Sequence, residues 1–204
     1  MIKDKTITLF CLSTDNPIQS IKVMKHCYSV FPYFDEIKLL SSYSGKEDKI
    51  EIVEVANVKS YKDYNTFMVE SLDSHIDTDF CLIVQADGYI LNPQAWDDNF
   101  LNYDYIGAPW PPFNNLCGNG GFSLRSKRII TLASKLKNPT GQAEDVVYCR
   151  RERDYFTSKG MIFSDPVTGA RFSHESGGTR VVNTGLNFSF GFHGKHHMNS
   201  VPVL

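Results

Sequence analysis

The chain has 204 residues, enough to bury one sizeable core, and its 42% hydrophobic and 22% charged residues are those of a globular protein rather than a disordered or fibrous one. Lys and Arg number 21 against 23 Asp and Glu, a net charge of −2, with no basic run of the kind a phosphate-neutralising nucleic-acid binder carries. Five scattered cysteines, odd in number and without a Cys-x-x-Cys pair, suit a reducing cytosol better than a disulfide framework or zinc ribbon.

Met1-Ile-Lys-Asp-Lys5 leads into a strand-like run rather than a signal peptide, and no apolar stretch is long enough to span a bilayer, so the expectation is a cytoplasmic protein with no transmembrane segment. Thr6 to Leu12 is short, apolar and β-branched, the pattern of a buried parallel strand. Asn16 then offers an N-cap, with Pro17 at the first helical position and Gln19 at the third. Ile18, Ile21, Met24, Tyr28 and Phe31 follow at helical spacing. Glu36 to Leu40 and Ile50 to Val55 read as strands, and Tyr61 to Leu72 as a helix with Tyr61, Tyr64, Met68 and Leu72 along one side. Phe80 to Val84 is the most strongly β-patterned run and belongs near the sheet centre.

Strands alternating with helices predict an α/β fold: a mostly parallel central sheet flanked by helices, Rossmann-like in its first half. From Asn92 to Gly121 prolines, glycines and aromatics crowd together, as in loops around a site. Ser126 is set to cap a helix running to about Lys137, Glu144 to Lys159 reads as another, and the tail past Ile162 reads as irregular. Without repeat or linker, residues 1–204 are read as a single domain, with a nucleotide-binding half over 1–90 and an acceptor and catalytic half over 91–204.

Ligands of open α/β sheets bind beyond the carboxyl ends of the central strands. There Gln85-Ala-Asp-Gly88 sends out a carboxylate before a glycine, a metal-holding arrangement and equally a plain Asp-Gly turn. Asp77-Thr-Asp79 lies before the strand, at the opposite edge, and is expected to cap or start an element. Gly118-Asn-Gly-Gly121 lacks a Gly-Lys-Ser/Thr ending, so it is no P-loop; its adjacent glycines let backbone approach a flat ligand. Glu144-Asp145 opens a helix, where acidic residues sit for dipole reasons or as a general base. Phe190-Gly-Phe-His-Gly194 offers His193 as a ligand beside a carboxylate, with His196 and His197 behind it, and His174-Glu175 reads as structural.

Gln85-Ala-Asp-Gly88, Asn92-Pro93, Trp96, Tyr103-Asp-Tyr-Ile-Gly-Ala-Pro-Trp110, Gly118 to Arg125, Glu144-Asp-Val146 and Phe190 to Gly194 together resemble a bacterial and viral glycosyltransferase-like family, a domain of unknown function with the GT-A nucleotide-sugar fold. The likeness runs from about Thr6 to Gly194. It implies a hexosyltransferase of carbohydrate biosynthesis, moving a sugar from a nucleotide-sugar donor, a UDP-sugar first, to a hydroxyl of a glycan or glycoconjugate. More remotely, the order of an aspartate after a strand, a glycine pair, Glu-Asp and a late histidine is similar to metal-dependent inverting galactosyl- and N-acetylglucosaminyltransferases. That likeness implies that Asp87 and His193 bind Mn²⁺ or Mg²⁺ and that Asp145 is the base of an inverting reaction, with Glu144 orienting a hydroxyl. One departure stands out: the first carboxylate of the Asp-x-Asp motif of those enzymes is Gln85 here. Substrate-binding positions are Ser13, Thr14 and Asp15 near Cys11, then Tyr64, Gln85, Gly88, Trp110 with Phe113, Gly120 and Gly121. The alternatives are a metal-dependent phosphoester hydrolase and a catalytically silent nucleotide-sugar or carbohydrate-binding module.

Overall fold

A computed structural model describes residues 4–110, 116–175 and 188–198. Six strands form one sheet in the order β3-β2-β1-β4-β6-β5. They are β1 (Ile7–Leu12), β2 (Glu36–Ser41), β3 (Glu51–Glu54), β4 (Phe80–Val84), β5 (Tyr105–Ile106) and β6 (Phe122–Ser126). β1, β2, β3 and β4 pair in parallel, and the antiparallel β6 and β5 extend the sheet past β4. The expected mostly parallel α/β sheet is therefore present.

Each central strand is buried on both faces, which is why it reads as a continuous apolar run. Ile7, Leu9 and Cys11 pack with Ile21, Val23, Met24 and Cys27 of α1 (Pro17–Val30). The alternate residues Phe10 and Leu12 pack with Met68 and Val69 of α2 (Tyr61–Glu70) and Ile129 and Ile130 of α3 (Lys127–Ala133). Pro17 does open α1, but the Asn16 side chain makes no cap bond, and Ile18 on the first turn is 55% exposed rather than part of the inner face. Asp79 starts its strand as expected: its carboxylate accepts from the Thr6 amide and hydroxyl, each at 3.1 Å, tying β4 to β1. All five cysteines are free and buried, and burial pushes the Cys11, Cys27 and Cys81 thiols up to about 12.

The second half departs more from its sequence pattern. The stretch expected as one helix over 144–159 is broken into α4 (Glu144–Val146), a π-helical turn (Val147–Arg151) and α5 (Arg153–Ser158). Beyond Ile162 there is regular structure after all: α6 (Pro166–Phe172), with Asp165 capping two amides, then the short parallel pair β7 (Ser173–Glu175) and β8 (Gly191–His193). Three-residue strands carry too little alternation to be seen in sequence.

Ser126 caps α3, its hydroxyl accepting from the Ile129 amide at 3.2 Å while it also donates to Asp104. Ser126→Ala is expected to cost about 1–2 kcal/mol, read as a lower urea midpoint at unchanged slope.

Candidate functional site

β4 ends at Val84, and a tight turn follows in which the Gly88 amide donates to the Gln85 carbonyl at 3.1 Å. Asp87-Gly88 is thus a turn, and the same turn presents the Gln85 and Asp87 side chains beyond the sheet. The segment 190–194 lies across it: the Leu91 amide donates to the Phe190 carbonyl at 2.9 Å, Phe192 to Tyr89 at 3.3 Å, and Gly194 to Asp87 at 2.9 Å. Gly88 is covered by the Phe192 and His193 backbone, so a larger residue has no room there.

This docking carries His193, 108 positions after Gln85, into the turn. Its Nε2 lies 3.1 Å from Gln85 Oε1 and 3.3 Å from Asp87 Oδ1, and its Nδ1 lies 3.1 Å from Glu175 Oε1. Gln85 is itself oriented, because its amide nitrogen donates to the Tyr64 hydroxyl at 2.7 Å. Burial alone would lower the His193 pKa, but the Asp87 and Glu175 carboxylates outweigh it and raise it to about 10. Asp87 moves the opposite way: burial opposes, and the His193 hydrogen bond and the positive charges of His193 and Lys195 hold it below its ordinary value.

Gly120 and Gly121 separate this cluster from the acidic pair. A Cβ on Gly121 would collide with the His193 imidazole, and one on Gly120 with the Glu144 carboxylate. The Gly120 amide donates to Asp145 Oδ2 at 3.4 Å, and Asp145 Oδ1 accepts from the Val146 amide at 2.8 Å. Asp87, His193 and Asp145, far apart in sequence, are therefore gathered around two glycines.

Glu144 faces inward and is 3% exposed. It pairs with the fully buried Arg125 at 2.6 Å, and the guanidinium lies over the rings of Tyr105 and Tyr148 at 4.9 and 4.7 Å. Burial raises the Glu144 carboxyl to about 7, with Arg125 pulling it down and Asp145 adding to the rise.

A pocket of about 580 Å³ opens beside the turn. Leu12 to Asn16, Val58 to Tyr61, Tyr64, and Gln85 to Asp87 line it, with Lys195 and Met198 on one side. It sits beyond the carboxyl ends of β1 and β4, where strand order reverses, which is the usual ligand crevice of an open α/β sheet. Ser13, Thr14, Asp15, Tyr64, Gln85 and Asp87 all face it, whereas Cys11, with its thiol in the core, does not. Trp110 packs against Gly118 and donates from Nε1 to Asn119 Oδ1 at 2.7 Å, away from this pocket, and Phe113 lies outside the described residues. Lys59 and Lys195 went unread in the sequence, although Lys195 stands two positions after His193. Glu175 was read there only as structural, with nothing in the sequence to name His193 as its partner.

No group of three or more His, Cys, Asp or Glu clusters to hold a metal among the described residues. The mixed set of one carboxylate, one amide oxygen and one imidazole nitrogen nonetheless fits a divalent ion. Its separations of 3.1 and 3.3 Å from Nε2 are close to the roughly 3 Å between adjacent ligands of an octahedral ion with bonds of about 2.1 Å. Asp87, Gln85 and His193 would hold it, leaving the other positions to ligand oxygens.

A family model described as "Protein of unknown function (DUF5672)" matches residues 48–193. No curated protein matches the chain. Among solved structures, a glycosyltransferase involved in glycosylation of the major capsid of PBCV-1 superposes with a TM-score of 0.55 at 14% identity, over 96% of this chain and 98% of that one. A mannosyltransferase from Pyrobaculum calidifontis, in complex with GDP-Man and Mn²⁺, gives 0.53 at 9% identity, over 78% of this chain and 54% of that one. This chain thus spans about half the length of that enzyme. The galactosyltransferase LgtC, with donor and acceptor sugar analogs, gives 0.50 at 11% identity, over 91% and 86% of the two chains. These likenesses establish a GT-A-like fold. No helix among the described residues is long and apolar enough to cross a membrane.

Since its protonated form is the one burial favours, Glu144 stabilises the fold most below its unfolded value of about 4.5. That contribution is lost as pH rises toward about 7. Urea titrations of wild type and Glu144→Gln across this window are expected to converge at low pH and separate at neutrality, with the variant flatter.

Proposed function

The chain belongs to the DUF5672 family, and from its fold and its gathered side chains we propose that it is a glycosyltransferase moving a hexosyl group from a nucleotide sugar to an acceptor hydroxyl. The observation that carries this reading is the meeting of Asp87, His193 and Asp145 around Gly120-Gly121, beside a pocket at the strand-order reversal.

The pocket suits a nucleoside diphosphate. Ser13, Thr14 and Asp15 at the end of β1 offer hydrogen bonds to ribose and base, and Tyr64 and Gln85 form the inner wall. Lys59 and Lys195 bring positive charge toward the phosphates. Asp87 and His193, with Gln85 as a neutral third donor, would hold Mn²⁺ or Mg²⁺. When bound, such an ion stabilises the negative charge that grows on the departing diphosphate. The mannosyltransferase with the same fold was solved with Mn²⁺ and GDP-Man, which supports this assignment, and a UDP-sugar remains our first candidate donor.

Displacement at the anomeric carbon requires the acceptor oxygen to shed a proton as its bond forms. Asp145 takes that proton, anchored by the Val146 amide and the long contact from Gly120. Attack opposite the leaving diphosphate gives inversion. Glu144 works from behind, spending both its charge and its geometry on Arg125, so that the loop bearing Asp145 has one position. Gly120 and Gly121 are buried under the Glu144 carboxylate and the His193 imidazole, so they serve by letting these groups meet rather than by facing the sugar.

Asp145→Asn is expected to keep the fold, by circular dichroism, and to lose about 10²- to 10⁴-fold in kcat for sugar transfer; unchanged turnover removes it as base. Asp87→Ala should weaken nucleotide-sugar binding in calorimetry with Mn²⁺ and leave binding in EDTA nearly as in wild type. A chain that binds donor yet releases neither glycoside nor free sugar would be a binding module, and one that liberates phosphate from simple esters a hydrolase.

A further inference from the structure

Resting on the metal reading above, we propose that Glu175 is the positioning carboxylate of that site: it holds the His193 Nδ1–H, so that an ion replacing the Nε2 proton finds Nε2 already aimed between Asp87 and Gln85. The backbone is built for this contact. β7 and β8 pair in parallel with Glu175 directly opposite His193, and residues in register on neighbouring strands point to the same face. The result is the 3.1 Å contact between Glu175 Oε1 and His193 Nδ1.

His174, one residue earlier, takes the other face and meets His197 edge-on, with ring centroids 4.8 Å apart. The second carboxylate oxygen of Glu175 is buried with no hydrogen-bond partner among the described residues, so His193 is what the structure offers to account for a charged group placed there. An imidazole ligand commonly donates its remote N–H to a carboxylate, which fixes ring and tautomer, and losing that partner typically costs about 10- to 100-fold in metal affinity. Glu175 is not among the residues that line the pocket, so it acts on the site through His193.

The test titrates Mn²⁺ alone into wild type, Glu175→Gln and Glu175→Ala, reading free Mn²⁺ by electron paramagnetic resonance. Wild type is expected to bind; Kd rises by about 100-fold in the Ala variant and about 10-fold in Gln, which retains an acceptor for Nδ1–H. Proton-detected ¹⁵N NMR of histidine-labelled protein at saturating Mg²⁺ is expected to show the His193 Nδ1–H of wild type far downfield and slow to exchange, as befits a proton held by a carboxylate, and in the Ala variant moved upfield or lost to exchange with water. A merely structural or long-range charge effect would leave that resonance unchanged. If the Ala variant does not fold, the Gln variant decides on both readouts. Binding within about twofold of wild type in every folded variant, or an unaltered Nδ1–H resonance, overturns the role of Glu175 while the metal site stands. Absence of Mn²⁺ binding by wild type overturns the metal site itself.

Discussion

Around Gly120 and Gly121 two groups from distant parts of the chain compete for the space that side chains would fill: the Glu144 carboxylate presses on one residue and the His193 imidazole on the next. Because neither glycine has a Cβ, β6 can begin directly beside the turn that follows β4, and the acidic pair of α4 reaches the same point from the other side. Everything else at the site is arranged relative to this contact. The C-terminal segment docks over Gly88, the Gln85 amide is aimed by Tyr64, and Asp145 sits within reach of the Gly120 amide.

The Glu144–Arg125 pair shows how a charge can serve a site without facing it. Breaking a buried ion pair on one side leaves a lone charge in a poorly polarisable interior. The aromatic faces of Tyr105 and Tyr148 partly replace the water that Arg125 gives up. The π-helical turn starts at Val147, one residue beyond the acidic pair, and an extra residue per turn of that kind re-aims the side chains around it. The local irregularity and the buried pair together hold the 144–146 segment in one place against β6.

Much of the sheet was legible because its central strands are hydrophobic on both faces. Ile7–Leu12 and Phe80–Val84 could be read almost to the residue, as could the helices opened by Pro17 and by Ser60, whose hydroxyl caps α2. What escaped was structure set by tertiary contact. The segment after Glu144 has helical spacing throughout, yet the demands of Arg125 and its aromatic neighbours break it into three pieces. β7 and β8 are too short to have a period, and they exist because they pair with each other and lie over the turn. At the site, motif-like residues such as Asp87, Gly120, Asp145 and His193 stood out by type and order. Glu175 did not, since its meaning comes only from the register that puts it opposite His193.

The five thiols have a practical side. Each is sealed in the interior, and Cys11, Cys27 and Cys81 give up their protons only near pH 12; thiolate is the form that reacts with alkylating probes. The native chain is therefore chemically quiet toward maleimides at neutral pH. A single new cysteine on an exposed position, Tyr61 at the pocket mouth for instance, would carry a fluorophore alone and report occupancy by its own change in emission.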